Sequence, residues 1–208
     1  MLRFRRSRDD AHDDEGGRRV VVGIGNPGER YSKTRHNAGA MVIDELLERT
    51  HSKLKSHRSG CLIAETVMFQ NKITLARPTS YMNESGRPVG QLMRFYKAEP
   101  SSLIVVQDEV DIPFGEVRIK WGGGTAGHNG LKSIVNHVGT KDFVRVRVGV
   151  GRPRGRQDTV GHVLDSFSSA ERKELPLLIA DAADAVERII EVGLERAMNE
   201  TNTRADRS

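Results

Sequence analysis

A histidine in a polar loop and a carboxylate at the end of an apolar run are the side chains of this sequence best suited to acid–base chemistry. His36 lies between Arg35 and Asn37, and an imidazole titrates near neutrality, as a general base must. Asp108 follows the strand-like run 103–107, where it could accept an imidazole N–H and stabilise the imidazolium. We predict that both are catalytic, although an N-cap role for Asp108 remains an alternative.

The attacking group and the absence of a metal are predicted by elimination. No serine or cysteine is placed to complete a covalent triad, so water is the expected nucleophile. The single cysteine, Cys61, adjoins the apolar residues 62–64 and is expected to be a small core residue. The seven histidines never fall at H-x-x-x-H spacing and no C-x-x-C is present, so we expect no metal site and no cofactor.

Two polar segments precede helical periods and carry groups suited to binding a ligand. The first contains Tyr81, Met82 and Asn83, and the second contains His128 and Asn129. A side-chain amide both donates and accepts hydrogen bonds, which suits a peptide backbone or an ester carbonyl. Helix capping competes with this interpretation for both asparagines, and we expect His128 to shape its loop first and to act in catalysis only second.

The loop that carries His36 leaves an apolar run of β-branched residues, 20–24. Such a run without polar alternation is typical of a strand buried on both faces. Asn26 and the following Pro-Gly pair end it sharply, so Asn26 and Tyr31 should lie at the carboxyl end of the strand, where open α/β sheets bind ligands.

The same run reads as G-x-G-x-x-G from Gly23 to Gly28, the pattern of a dinucleotide-binding fold. That fingerprint requires a helix that opens at its last glycine and an acidic residue about 20 residues on, at the end of a second strand. Here the helical period starts only near Asn37, and the acids at that distance lie inside it. A dinucleotide oxidoreductase is therefore a distant hypothesis.

Composition and charge indicate one domain with a polyanionic partner. The chain has 208 residues, 37% hydrophobic, with 21 glycines; no run approaches the ~20 apolar residues of a membrane span. No secretory signal is apparent, and a lone thiol fits a reducing compartment, so we expect no membrane association and a cytoplasmic location. Residues 20–167 hold 21 basic and 14 acidic side chains, which favours RNA, although a solvated basic surface is the alternative. The candidate phosphate contacts are Arg118, Lys120, Lys132, Arg145 and Arg147.

Strand and helix periods alternate along the body of the chain. Strands are predicted near 19–25, 61–68, 72–77, 103–107, 117–120 and 144–148, and helices near 38–50, 85–96, 130–137, 169–174 and 176–198. This pattern predicts an α/β single domain with a mixed, mostly parallel twisted sheet flanked by helices. We place the domain at 19–198, between a disordered charged extension, 1–18, and a polar tail, 199–208.

Five segments in order resemble the bacterial-type peptidyl-tRNA hydrolase family. They are Val22-Gly-Ile-Gly-Asn-Pro-Gly28 with Thr34-Arg-His-Asn-Ala-Gly39, Pro78-Thr-Ser-Tyr-Met-Asn83, Asp108-Glu-Val-Asp-Ile-Pro113, the glycine-rich run ending Gly127-His-Asn-Gly130, and Val148-Gly-Val-Gly-Arg-Pro153. The resemblance implies a monomeric, metal-free esterase that cleaves peptidyl-tRNA and recycles tRNA dropped from ribosomes. By motif position, His36 would be the general base and Asp108 its support. Asn26 would recognise N-blocked substrates, and Tyr31, Tyr81, Asn83 and Asn129 would line the substrate site.

The sequence departs from the family pattern in two places. Thr125 and Ala126 stand where the family has histidine and glycine, and Asp165 replaces a glycine in a segment expected to form a lid near the cleft. Alanine disfavours the positive φ that glycine permits, so the first departure bears on loop geometry. The alternative function is a non-catalytic RNA-binding relative, but a pure binder has no need of a general base beside a carboxylate.

Overall fold

The chain folds around a seven-stranded sheet. The computed structural model describes residues 17–153 and 158–205. The strands are β1 Arg19–Gly23, β2 Lys55–Ser56, β3 Cys61–Met68, β4 Asn71–Pro78, β5 Leu103–Glu109, β6 Val117–Trp121 and β7 Val144–Gly149. Their order across the sheet is β2-β3-β4-β1-β5-β7-β6. The two-residue strand β2 was not predicted.

Four adjacent strands, β4, β1, β5 and β7, are parallel, and the strands on either side of them pair in the antiparallel sense. β1 pairs in parallel with β4 and β5, and β5 pairs in parallel with β7. The pairs β2/β3, β3/β4 and β6/β7 are antiparallel. The predicted α/β class with a mixed sheet is therefore confirmed. The carboxyl ends of β1, β4, β5 and β7 meet at one edge, which carries the candidate site.

Helices cover both faces of the sheet. They are α1 Ala38–Arg49, α2 Gly86–Tyr96, α3 Asn129–Val138, α4 Thr159–Leu164, α5 Glu171–Val192 and α6 Leu194–Ala205. Apolar residues of α1, α5 and α6 pack on one face, and those of α2 and α3 on the other. Within β1, Val21 joins the first core and Val20 and Val22 the second. This explains a run without polar alternation.

Two helix boundaries and one helix differ from the prediction. The break predicted between residues 174 and 176 does not occur, and α5 continues through Pro176. Eight buried apolar residues in the rest of α5 outweigh its missing backbone hydrogen bond. The helix ends instead at Gly193, whose φ of 83° is easy only for glycine. Helix α4 was not predicted.

The predicted polar tail is in part a helix that belongs to the domain. In α6, the side chain of Asn202 accepts from the N–H of Ile119 (2.9 Å) and donates to its carbonyl (3.1 Å), which covers the open edge of β6. Residues 1–16 of the predicted extension lie outside the described residues, whereas Arg18 pairs with Glu65 in β3. Among the described helices, none combines the length and apolarity needed to cross a membrane.

Candidate active site

Two glycines allow the loop with His36 to lie directly over the sheet. A Cβ atom on Gly39 would overlap the Val106 carbonyl, and one on Gly23 would overlap the Gly39 carbonyl. Helix α1 can therefore begin in backbone contact with β1 and β5. A tight turn over residues 35–37 ends against this helix and brings His36 close to the carboxyl end of β5.

His36 and Asp108 form a hydrogen-bonded pair across 72 residues of sequence. Nδ1 of His36 lies 3.0 Å from each carboxylate oxygen of Asp108. Asp108 is buried within β5, at 2% exposure, so it does not act as an N-cap. Burial alone would raise the pKa of Asp108, but the charges of His128 and His36 and their hydrogen bonds outweigh it and hold the pKa well below its usual range. The carboxylate therefore stays ionised at neutral pH.

His128 occupies the other side of the same carboxylate. Its Nε2 lies 3.1 Å from Oδ1 of Asp108, and its Nδ1 accepts from the Leu131 N–H (3.4 Å) at the start of α3. Nδ1 is thus an acceptor, so the proton of neutral His128 sits on Nε2 and is donated to Asp108. Both nitrogens of His128 are thus engaged within the protein, one at the start of α3 and one with Asp108.

The protonation pattern identifies the basic atom of the pair. An ionised Asp108 only accepts, so Nδ1 of His36 must donate and Nε2 must hold the lone pair. His36 is one of the residues that line the cavity, and its Nε2 has no hydrogen-bond partner in the described part of the chain. The site can therefore take a proton from a water molecule at Nε2.

The same three side chains bring together potential metal ligands, which the linear spacing did not suggest. The donor atoms of His36, Asp108 and His128 lie within 4.8 Å of one another. Nδ1 of His36 and Nε2 of His128 are already hydrogen-bonded to the Asp108 carboxylate, so an ion bound through these atoms would have to displace the shared protons. The arrangement fits a general base that is held by an ionised carboxylate.

Asn26 presents only a donor to the site. The Met82 N–H donates to Oδ1 of Asn26 (2.9 Å), which leaves the NH₂ group unengaged among the described residues. The buried Asn37 holds the backbone of Asn26 through two hydrogen bonds of 2.9 Å. The sequence left open whether the Asn26 amide donates or accepts; the Met82 contact decides it. The Asn37 clamp was not predicted.

Asn83 and Asn129 are exposed at the cavity and do not cap helices. Ser85 is the N-cap residue of α2, and His128 caps α3 with its own side chain. No hydrogen bond of either asparagine side chain is found in the described ranges, so both amides are available. Met82 is buried and packs against Gly130, where any side chain would collide with the Met82 sulfur.

The predicted site residues divide into those that line one cavity and those outside it. A cavity of about 560 Å³ is lined by Asn26, His36, Met82, Asn83, Asp108, His128 and Asn129. Tyr31 and Tyr81 are not among its lining residues; Tyr81 is 50% exposed, and the ring of Tyr31 stacks under Arg30. The role predicted for the two tyrosines stays untested.

The sequence did not predict the apolar wall of the cavity. Helix α4 forms this wall through Val160, Val163 and Leu164, and its first residue, Thr159, also lines the cavity. The i, i+3, i+4 spacing of the apolar residues and the N-cap Asp158, which accepts from the Gly161 N–H (2.7 Å), were signals of this short helix.

Arg35 ties α4 to the turn that carries His36. Its guanidinium is buried and forms an ion pair with Glu171 (2.7 Å). It also donates to three carbonyls at the end of α4 and beyond, those of His162 (3.3 Å), Asp165 (3.3 Å) and Ser166 (3.0 Å). Because Arg35 precedes His36, the wall and the base are held by one contact network.

The glycine-rich loop supports the opposite wall and contains a strained residue. Ala126 lines the cavity with φ of 47°, the left-handed conformation that the sequence analysis identified as unfavourable for alanine. Beneath the loop, Arg145 donates to the carbonyls of Gly123 and Gly124, both at 2.7 Å. The described contacts of this guanidinium are internal, and its Nε has no partner among them.

The five predicted phosphate contacts are not equivalent. Arg145 is 2% exposed and braces the loop, so we remove it from the set. Lys120 and Lys132 are exposed, whereas Arg147 lies 3.7 Å from Glu109 and Arg118 pairs with Glu116 (3.1 Å). Arg145 and Arg147 are two residues apart in β7, so strand alternation places both on the same face of the sheet. Arg145 is buried because the glycine-rich loop covers it, which the alternation does not predict.

Comparison with known proteins shows similarity to one family over most of the chain. The family model described as peptidyl-tRNA hydrolase matches residues 20–208. A peptidyl-tRNA hydrolase of Leifsonia xyli subsp. xyli is 55% identical over 186 residues, 88% of this chain and 96% of that protein. That of Frankia casuarinae is 58% identical over 180 residues, 86% and 91% of the two chains. The crystal structure of peptidyl-tRNA hydrolase from Acinetobacter baumannii superposes with a TM-score of 0.83 at 34% identity, covering 88% of this chain and 94% of that one. The chain therefore belongs to the peptidyl-tRNA hydrolase family.

Proposed function

We propose that the chain hydrolyses the ester between an N-blocked peptide and tRNA with Nε2 of His36 as the general base. The activity follows from membership of the family, and the residue roles are argued from the site. The observation that carries them is the orientation of His36, whose Nδ1 faces both oxygens of buried, ionised Asp108. That contact leaves the basic nitrogen of His36 directed at the substrate cavity.

In the first step, Nε2 of His36 takes a proton from a water molecule as the water oxygen bonds to the ester carbonyl carbon. The imidazolium that forms keeps its Nδ1–H on Asp108, whose negative charge stabilises it. In the second step, the bond from that carbon to the ribose 3′-oxygen breaks. The imidazolium returns its proton to this oxygen, so the products are the peptide acid and free tRNA.

The three side-chain amides have separate tasks in this scheme. The NH₂ groups of Asn83 and Asn129 donate to the ester carbonyl oxygen, where negative charge develops. The NH₂ group of Asn26 donates to the carbonyl that acylates the substrate nitrogen. Free aminoacyl-tRNA has no such carbonyl and presents an ammonium donor instead, so the donor on Asn26 would be left unpaired and the substrate disfavoured.

The exposed cations position the RNA. Lys120 and Lys132 flank the glycine-rich loop and meet phosphates of the acceptor arm, with Arg147 and Arg118 beside them at the edge of the sheet. The enzyme acts as a monomer in the cytoplasm on peptidyl-tRNA lost from ribosomes. A non-catalytic RNA-binding role is not favoured, because the His36–Asp108 pair is complete.

The test is release of labelled N-acetyl-aminoacyl groups from tRNA in the presence of excess chelator. Wild-type protein should stay active, and His36→Ala should lower turnover at least ~10²-fold while tRNA binding persists. His51→Asn is the matched control, since His51 is an exposed histidine with φ of 50° that asparagine tolerates. Loss of wild-type activity with chelator, or full activity of His36→Ala, would refute the metal-free mechanism.

A further inference from the structure

An exposed aromatic residue on α2 is surrounded by cationic and aromatic side chains from a separate segment. Phe95 is 43% exposed. The guanidinium of Arg58, in the turn between β2 and β3, lies 4.6 Å from the centre of its ring, and His57 meets the ring edge-on at 4.6 Å. The partly exposed ring of Phe95 is thus fixed in position by a guanidinium and an imidazole, which are both groups that can stack on flat ligands.

A second layer of contacts supports this arrangement. Tyr96 packs edge-on against Phe95 at 4.9 Å and lies parallel to His57. Arg18 lies over the Tyr96 ring at 4.7 Å and forms an ion pair with Glu65 at 3.0 Å. The aromatic group is therefore preorganised, which lowers the entropy cost of binding a flat ligand.

Four exposed cations near Phe95 lack carboxylate partners. Arg87 and Arg94 lie on α2, Lys97 follows its last residue, and Arg58 lies in the adjoining turn. Across the described ranges, no ion pair joins any of these four to an acidic side chain. Arg94 and Lys97 also line a cavity of about 360 Å³, together with Glu99. We call Arg58, Arg87, Arg94, Phe95 and Lys97 the α2 surface.

A second exposed phenylalanine provides the contrast. Phe69, 47% exposed at the tip of the β3–β4 hairpin, borders a cavity also lined by acidic side chains of α5 and α6. The arginines there are neutralised: Arg188, for example, pairs with Glu191 and Glu200, both at 2.6 Å. Exposed aromatic area is thus present at both sites, but unpaired positive charge only at the α2 surface.

We propose that the α2 surface binds unpaired nucleotides of an RNA, with a base stacked on Phe95 and phosphates held by the surrounding cations. Aromatic stacking combined with a basic groove is how single strands are bound without sequence preference. An acidic peptide would use the cations but would gain little from the ring. The Arg58 guanidinium can stack on a base as well as pair with a phosphate.

This surface differs from the strand contacts assigned to the acceptor arm. Lys120 and Arg147 lie on β6 and β7, at one edge of the sheet, whereas the turn with Arg58 connects β2 and β3 at the other. Lys132 lies on α3, which packs against α2, so the two sets of contacts adjoin there. Phe95 does not line the cavity of the ester site, so its variant leaves that site intact. The inference is independent of the catalytic mechanism, because its test uses RNA without an ester.

The experiment measures binding of a short oligouridine that carries one 2-aminopurine, in the full-length protein. Stacking should quench the 2-aminopurine fluorescence. Phe95→Ala should weaken binding at least about five-fold and abolish the quenching, and Phe95→Trp should restore both. Phe69→Ala, the matched control of equal side chain and similar exposure, should bind as the wild type does. Equal thermal midpoints for the four proteins establish that each is folded.

Three results would overturn the proposal. Quenching and affinity that are unchanged in Phe95→Ala would show that no base stacks on Phe95. An equal loss of affinity for a fully paired, blunt-ended RNA duplex would show that unpaired bases are not what the surface recognises. Binding of a polyglutamate peptide as tight as that of oligouridine, and equally dependent on Phe95, would assign the surface to an acidic protein instead.

Discussion

Replacing Asp108 with asparagine tests whether its negative charge contributes to catalysis, with little change in the shape of the side chain. The amide cannot accept from both imidazoles as a carboxylate does, and it carries no charge to stabilise the His36 imidazolium. A hydrogen bond to a charged group contributes about 1.5–3 kcal/mol, and about 1.4 kcal/mol corresponds to a factor of ten in rate. We therefore expect Asp108→Asn to lower kcat about 10- to 100-fold, less than His36→Ala. KM should change little, because both carboxylate oxygens face imidazoles: Oδ1 faces His36 and His128, and Oδ2 faces His36.

The assay is steady-state hydrolysis of N-acetyl-aminoacyl-tRNA, with Asp111→Asn as the control. Asp111 belongs to the same segment but pairs with Arg152 outside the cavity (2.6 Å), so its variant should stay within two-fold of wild type. A folded Asp108→Asn protein with wild-type kcat would refute the reasoning, since the charge would then have no part in the transition state.

The pH dependence of stability provides a second measurement on Asp108. Its folded pKa lies below that of an unfolded carboxyl group, about 3.9. Its ionisation therefore stabilises the fold fully above about pH 4, and this contribution is lost as the pH falls below that value. The stability advantage of wild type over Asp108→Asn should therefore shrink as the pH falls from about 4 towards 2, measured by urea titration at each pH. An advantage that stays constant or grows over this acid range would contradict this sign.

Three further predictions concern specificity, RNA contact and loop strain. Asn26→Asp keeps an acceptor for the neighbouring backbone N–H but removes the donor, so the kcat/KM preference for acetylated over free aminoacyl-tRNA should narrow; an unchanged ratio would leave Asn26 as a turn residue. Lys120→Gln and Lys132→Gln should each reduce the slope of the logarithm of the tRNA-binding constant against log salt by about one unit. Arg145→Gln should leave this slope unchanged and lower the thermal midpoint. Slopes equal to that of wild type for all three variants would remove the lysines from the RNA site. Ala126→Gly relieves a positive φ that costs about 1–2 kcal/mol, but it raises the entropy of the unfolded chain, which costs about 0.4–1 kcal/mol. The free energy of unfolding should therefore rise by between about 0 and 1.6 kcal/mol, and a fall in urea titrations would show that the alanine is not strained.

Local sequence patterns were sufficient where an element is decided by its own residues. The β-branched run of β1, the helical spacing of α1 and the two strands β3 and β4 all formed near the predicted positions. The pattern was insufficient at the carboxyl end of the chain. Packing keeps α5 continuous where a break was predicted between residues 174 and 176, and the apolar face of α4 was too short to stand out.

What the sequence by itself determined were the residue types at the site and the strand end at which they lie. His36, Asp108 and Asn26 were identified at the carboxyl ends of predicted strands or in the loops that follow them, and Asn83 and Asn129 in polar segments that precede predicted helices. Only the tertiary structure decided what each group can do. The Met82 N–H makes Asn26 a donor, two imidazoles keep Asp108 ionised, and two loop carbonyls enclose Arg145. These contacts join residues 20 to 72 positions apart. Hydrogen-bond partners and burial arise from packing between elements, which no local pattern encodes.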